Sequence, residues 1–177
     1  MLLFFLQTFA LMENTINKLK LLNGCQDSEI SMTVTSGDAN EHTIENVQCQ
    51  VFHESGGGLT VPSANDFGGT DIDYAANASF EGQGTSCSSA SCKDIFVLVA
   101  TDAKTCSAMN SLVGITGDVT GGYDNIRPWQ GDFDGVNNPA NWRLGSLHSV
   151  GIDGFNAGCF QGDPGLDYNL YYVLVAR

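Results

Sequence analysis

The stretch from Met1 to Gly24, MLLFFLQTFALMENTINKLKLLNG, constrains this chain more than any other. Leu2, Leu6, Phe9, Met12, Ile16, Leu19 and Leu22 recur at spacings of three and four. That period puts side chains on one face of an α-helix. Asn23-Gly24 supplies the stop, because glycine accepts the left-handed conformation that closes helices. Lys18 and Lys20 fall in the last turns, where cations suit the negative end of the helix dipole.

The two halves of this helix differ. Met1 to Met12 is apolar nearly all round, broken only by Gln7 and Thr8. From Glu13 onward Glu13, Asn14, Asn17, Lys18 and Lys20 leave a wet face, so the second half is amphipathic. The first half therefore needs apolar surroundings on every side and the second on one side only. The pattern predicts a helix projecting from a globular body into a membrane or a bundle of like helices. A secretory signal peptide would need a basic start and a small-residue cleavage site. No Lys or Arg precedes Leu2, and Thr8-Phe9-Ala10 is a poor site. A spanning helix needs roughly 20 apolar residues, and about 12 are present. A core helix is the plainer alternative.

Behind the helix lie enough residues for one domain, within a total of 177. Twenty acidic residues against seven basic ones give a net charge of −13. Such a chain is not expected to bind nucleic acid, whose phosphates need Lys and Arg; divalent cations are the more natural partners. The six cysteines, Cys25, Cys49, Cys87, Cys92, Cys106 and Cys159, form no CxxC pair and show no zinc-like spacing to His42, His53 or His148. They are expected to form structural disulfides in an oxidising compartment. Sequence does not choose among the pairings; the one adopted is Cys25–Cys49, Cys87–Cys92 and Cys106–Cys159.

Ile30 to Thr35 alternates apolar and polar, and the later part of Thr43 to His53 does the same, which predicts two strands paired as a hairpin. Ser55-Gly56-Gly57-Gly58 ends the second. Leu59 to Gly84 reads as ordered loop with a short strand at Ala78 to Glu81. Lys93 to Ala100 (KDIFVLVA) is the clearest strand, apolar enough to be buried on both faces. Thr101-Asp102 caps a predicted helix from Ala103 to Val113, stopped by Gly114, with Cys106, Met109 and Leu112/Val113 on one face. Tyr168 to Ala176 (YNLYYVLVA) is a closing strand expected inside the main sheet. The fold class is therefore α+β, with a protruding N-terminal helix over 1–24 and a disulfide-stapled, mainly antiparallel β body over 25–177.

Sites for chemistry are few. Asp132-Phe133-Asp134-Gly135-Val136-Asn137-Asn138 resembles half of a calcium loop, with Asp132, Asp134 and Asn137 as oxygen ligands, but lacks the closing bidentate Glu. The alternative is an Asx-rich turn. Asn77-Ala78-Ser79 fits the N-glycosylation pattern. There is no nucleophile elbow, HExxH or phosphate loop, and Gly56-Gly57-Gly58 lacks the required Lys. His53 and Ser55 with an Asp make only a formal triad. No enzymatic activity is expected.

Several stretches resemble type IV pilins and pseudopilins, in particular the pilin-like proteins of alphaproteobacteria. They are Asn23-Gly24-Cys25 at the helix end, Glu29-Ile30-Ser31, Val51-Phe52-His53 before Gly56-Gly57-Gly58-Leu59, Ala157-Gly158-Cys159-Phe160, and Tyr171 to Arg177. Each is short; together they span most of the chain. Type IV prepilins also carry a basic leader, a cleavage-site Gly and a Glu at the fifth mature position. Here position 5 is Phe5 and the first acid is Glu13, so either the sequence begins downstream of the true start or its assembly signal differs.

The resemblance implies a structural subunit, held in the inner membrane before assembly and then built into an extracellular homopolymer. Its core contacts would be Leu2, Leu3, Phe4, Phe5, Leu6, Phe9, Leu11, Met12, Ile16 and Leu19. The acidic head would face outward, toward any surface ligand. The alternative is a secreted or tip-located adhesin or lectin-like module using Trp129, Trp142 and the Asp132–Asn138 loop, with calcium. An extracellular hydrolase ranks third. A filament subunit needs the segment from Met1 to Met12, whereas a binding module should work without it.

Overall fold

In the computed structural model the described residues are 1–32, 46–80, 82–84, 94–117, 119, 142–144, 151–162 and 168–176. The apolar stripe forms helix α1, Leu2–Leu22. Strand β1 is Asp71–Phe80, β2 Asp94–Thr101, helix α2 Ala103–Val113, β3 Trp142–Leu144, β4 Ala157–Gln161 and β5 Tyr168–Val175. One sheet runs β3-β1-β2-β5-β4. The β1–β2, β2–β5 and β5–β4 pairs are antiparallel, and the short β3 lies parallel to the end of β1. The α+β class, with an N-terminal helix and disulfides, is as expected.

Strands β2 and β5 hold the centre because both of their faces are covered. Ile95, Phe96, Val97 and Val99 are fully buried, as are Leu170 and Tyr171. On one face Tyr172 meets α1 through Phe9. On the other, the rings of Phe80, Phe96, Tyr171 and Phe160 form a second cluster, with Phe80 stacked on Tyr171 at 4.8 Å. A strand buried on both faces reads as a continuous apolar run, as Lys93 to Ala100 does.

Helix α2 closes the β4 edge. Asp102 accepts the Thr105 N–H at 2.7 Å, and Gly114 ends the helix at φ 86°, as its sequence signals predict. Cys106 and Met109 are buried, Val113 packs against the core, and Leu112 faces solvent. The Asn110 amide then acts as a surrogate strand. Its Nδ2–H donates to the Cys159 carbonyl at 2.9 Å, and its Oδ1 accepts the Cys159 N–H at 2.8 Å. Both groups would otherwise be open at a sheet edge. The Cys106–Cys159 disulfide locks the same contact, with Cα atoms 5.2 Å apart.

The second expected disulfide, Cys25–Cys49, is also formed, with Cα atoms 5.8 Å apart. Closing loops of 24 and 53 residues removes about 3 and 4 kcal/mol of chain entropy from the unfolded state on the loop-closure account. Cys87 and Cys92 lie outside the described residues.

Three expectations need correcting. The predicted hairpin of Ile30–Thr35 with Thr43–His53 is replaced, within its described part, by an isolated parallel bridge between Ser31 and Gln50. Asn46 caps a 3-10 turn at Val47–Cys49, and the disulfide draws Cys49 beneath the end of α1. Second, the short strand near Ala78 is a ten-residue strand, bulged between Ala75 and Ala78. Third, the first half of α1 lies against the body instead of projecting from it. Phe5 and Phe9 are fully buried because Phe67 and Tyr172 offer a ready aromatic bed. The 1–24 helix and the 25–177 body thus share one core.

Candidate functional site: the outward face of the N-terminal helix

The inner face of α1 fixes the aim of its outer face. Phe9 stands 4.8 Å from the Phe5 ring, 5.3 Å from Phe67 and 6.2 Å from Tyr172, centroid to centroid. Lower down, Met12, Ile16 and Leu19 continue the buried seam. Midway, the Tyr172 hydroxyl donates to Glu13 Oε2 at 2.8 Å. Burial first, and then this hydrogen bond, raise the Tyr172 pKa well above the ordinary tyrosine value. At the C-terminal end the Asn23 amide donates to the Gln48 carbonyl at 2.8 Å, next to the Cys25–Cys49 bridge. Lys20 and Asp27 form a half-exposed ion pair at 2.7 Å.

Of the ten residues expected to make polymer contacts, Phe5, Phe9, Met12, Ile16 and Leu19 are committed to the subunit's own core. Leu2 and Leu6 are partly buried against it. Leu3, Phe4 and Leu11 remain 63%, 50% and 53% exposed. With Gln7 they form the outward face of the first three turns. The same face then turns polar at Asn14, Asn17 and Lys18, matching the change of character in the sequence. At its far end Leu21 and Leu22 are 83% and 81% exposed. Leu22 belongs to the sequence stripe, but spacings of three and four carry that stripe round the helix, and five full turns after Phe4 it faces the same outward way. Among the described residues no helix is long and apolar enough to cross a membrane.

Asp132, Asp134, Asn137, Trp129, His42 and His148 lie outside the described residues. Trp142 is placed by its backbone in β3, opposite Ala78. Asn77 falls within β1 at the bulge. His53 Nδ1 accepts the Ser55 backbone N–H at 3.1 Å, a contact local to the turn. Gly56 and Gly57 serve packing: a Cβ on Gly57 would sit 2.4 Å from the Val51 carbonyl oxygen and 2.7 Å from Thr15 Cγ2. Among the described residues no group of three or more His, Cys, Asp or Glu could hold a metal ion.

One concavity lies beside α2. It encloses about 300 Å³ between Ala103, Cys106, Ser107, Asn110 and Ser111 on the helix and Ile115, Thr116, Gly117, Val119 and Tyr168 opposite. Among the described residues its lining carries hydroxyls and no charged side chain. Sequence reasoning missed it, because no local pattern shows that α2 and the residues just after Gly114 enclose space against Tyr168. No protein-family model, no curated protein and no solved structure matches this chain.

Proposed function

We propose that this chain is a structural subunit of an extracellular, type IV pilus-like filament, assembling through the outward face of α1 and displaying its acidic body. The observation that carries the reading is the trio Leu3, Phe4 and Leu11, held outward on a helix whose other side is pinned to the core. A rigid, oriented apolar patch on an otherwise charged molecule marks an interaction surface. The disulfides suit an oxidising location outside the cytoplasm.

Burying the exposed parts of these three side chains contributes on the order of 3–5 kcal/mol. Association costs about 4–15 kcal/mol before any surplus appears. The patch can therefore steer assembly, and a stable polymer requires further contacts.

The test is negative-stain electron microscopy of the protein purified from the cell exterior, beside Leu3→Asp/Leu11→Asp. Both positions are exposed, so the variant keeps its fold; deleting Met1 to Met12 would instead remove Phe5, Phe9 and Met12 from the core. Thin filaments from the parent and single particles from the variant support the reading. Single particles from both, with disulfides intact, overturn it.

The hydroxyls that line the described part of the cleft beside α2 favour a second reading, a secreted binding module for small neutral polyols. Protein-observed NMR titration with neutral monosaccharides tests it: shifts confined to Ser107, Thr116 and Tyr168 would support it, and none at millimolar sugar would exclude it.

A further inference from the structure

The C-terminal end of α1 presents a reactive dipeptide. Asn23-Gly24 is the only Asn-Gly step in the sequence, and both residues are exposed. In such a step the backbone nitrogen that follows asparagine attacks the side-chain amide carbon, and glycine, with no Cβ, hinders the approach least. Gly24 stands at φ 72°, and a Cβ built on it would meet nothing within 4 Å. Its N–H meets no backbone acceptor among the described residues. The nucleophile is therefore accessible. The leaving nitrogen is Asn23 Nδ2, the atom that donates to the Gln48 carbonyl at 2.8 Å. Asn110-Ser111 is the contrast: Asn110 is buried, and both of its amide atoms are paired with Cys159.

We propose that Asn23 is a deamidation site of the folded protein, opened by fraying of the last turn of α1. The Gly24 nitrogen bonds to Asn23 Cγ and gives its proton to solvent. The Cγ–Nδ2 bond then breaks, and the amide nitrogen leaves as ammonia. Water opens the resulting five-membered imide at either of its carbonyl carbons, giving aspartate or isoaspartate at position 23. The only co-reactant is water.

The fold sets the pace. Asn23 has ψ −6°, which holds the Gly24 nitrogen away from Cγ, so the ring closes only after rotation about that bond. The rotation breaks the Gln48 contact, and the Cys25–Cys49 bridge restrains the residue that follows Gly24. Against these restraints, the turn is lightly held, with Leu21 and Leu22 more than four-fifths exposed. Such helix ends open at the low end of local unfolding energies, so the reaction needs one turn to open while the core stays in place. Once complete, it removes its own restraint. The departing nitrogen is the donor to Gln48, and a carboxylate has no N–H to replace it. The new negative charge also falls at the negative end of the helix dipole. Deamidation thus leaves the end of α1 permanently looser.

The experiment incubates the full chain, disulfides intact, in mildly alkaline buffer and follows every asparagine by peptide mass spectrometry that separates aspartyl from isoaspartyl products. A parallel sample is unfolded in urea without reductant. Asn23 is expected to convert ahead of every other asparagine in the folded chain, to both products, and roughly tenfold more slowly than in urea, the factor one hydrogen-bonded closure supplies. The variant Asn23→Asp reproduces the converted state. Its backbone amides at residues 20–23 should exchange with solvent about threefold or more faster than the parent's, while those of β2 and β5 keep their protection. A folded chain in which Asn23 stays intact while the urea sample converts overturns the site, as does earlier conversion of another asparagine. Equal rates in the folded and unfolded samples overturn the control by the helix end. Unchanged exchange at residues 20–23 in Asn23→Asp overturns the loosening.

Discussion

Replacing Phe9 with alanine tests whether α1 is seated on the body. Phe9 has no exposed surface, and its ring lies within 6.2 Å, centroid to centroid, of three other rings, those of Phe5, Phe67 and Tyr172. Truncation of a buried phenylalanine removes its transfer free energy and leaves a cavity, costing about 3–5 kcal/mol. A domain has only about 5–15 kcal/mol in total. For a chain of this size each kcal/mol lowers Tm by about 2–4 °C, so a fall of roughly 6–20 °C is expected. Leu11→Ala is the control: Leu11 is more than half exposed, and its truncation should stay within about 0.5 kcal/mol. The measurement is urea and thermal denaturation at protein concentrations too low for assembly, with disulfides intact. An unchanged m-value would assign the loss to the native core. A Phe9→Ala midpoint equal to that of Leu11→Ala would refute the seating of α1 and revive a projecting helix.

Other positions give independent checks. Asn110→Leu keeps the volume but leaves the Cys159 N–H and carbonyl unpaired, so urea denaturation should show a loss on the order of 2–5 kcal/mol. Gly57→Ala drives a Cβ into the Val51 carbonyl oxygen, which cannot swing aside, and should cost about 1–3 kcal/mol in the same assay. Burial raises the pKa of Tyr74, Tyr171 and Tyr172; their contribution is complete below the ordinary tyrosine value near 10 and is lost as pH rises past it. Tyrosinate absorbance from these three should therefore appear together with alkaline unfolding, and its appearance with the far-UV signal unchanged would contradict their burial. The Thr105 backbone N–H lowers the Asp102 pKa, so its cap is present above the ordinary carboxylate value and fades as pH falls through the lowered one. Asp102→Asn should remove that acid dependence from thermal melts.

What the sequence made legible follows from how local each cause was. Strand β2 and helix α2 were readable because their signals lie within the segment: an unbroken apolar run, an Asp cap and a Gly stop. Strand β1 was not. Ala75, Ala76, Asn77 and Ala78 are poor strand formers, and β1 exists because β2 supplies its hydrogen-bond partners. The Ile72-x-Tyr74 alternation, with Tyr74 buried and Ile72 against the core, was its one local signal. Within its described part, the hairpin expected before it is replaced for the opposite reason. Its alternating pattern was genuine, but Asn46 and the Cys25–Cys49 bridge impose a tight turn where the pattern alone suggests a strand. Leu21-Leu22 is exposed because five full turns bring it back to the direction of Leu3-Phe4.

The apolar character of residues 1–12 on all sides has two causes, which call for different experiments. Toward the body, Phe5, Phe9 and Met12 are buried by contacts the chain makes with itself, so substitutions there change the stability of a single molecule. Away from it, Leu3, Phe4 and Leu11 are half or more exposed, with the Phe4 ring 5.8 Å from Phe67; burying the rest requires another molecule. Substitutions at Leu3 and Leu11 should change the concentration at which copies associate and leave the melting temperature nearly unchanged. From Glu13 onward the sequence asks for only one buried face, and Ile16 and Leu19 provide it within the subunit. The outward apolar surface therefore recurs only at Leu21-Leu22. A helix whose sole duty was to complete the core would be expected to carry polar residues at 3, 4, 11, 21 and 22, as it does at 14, 17 and 18. That contrast along a single helix face separates an assembling surface from surplus hydrophobicity. It would lose its force if polar substitutions at all five positions left self-association unchanged in sedimentation velocity.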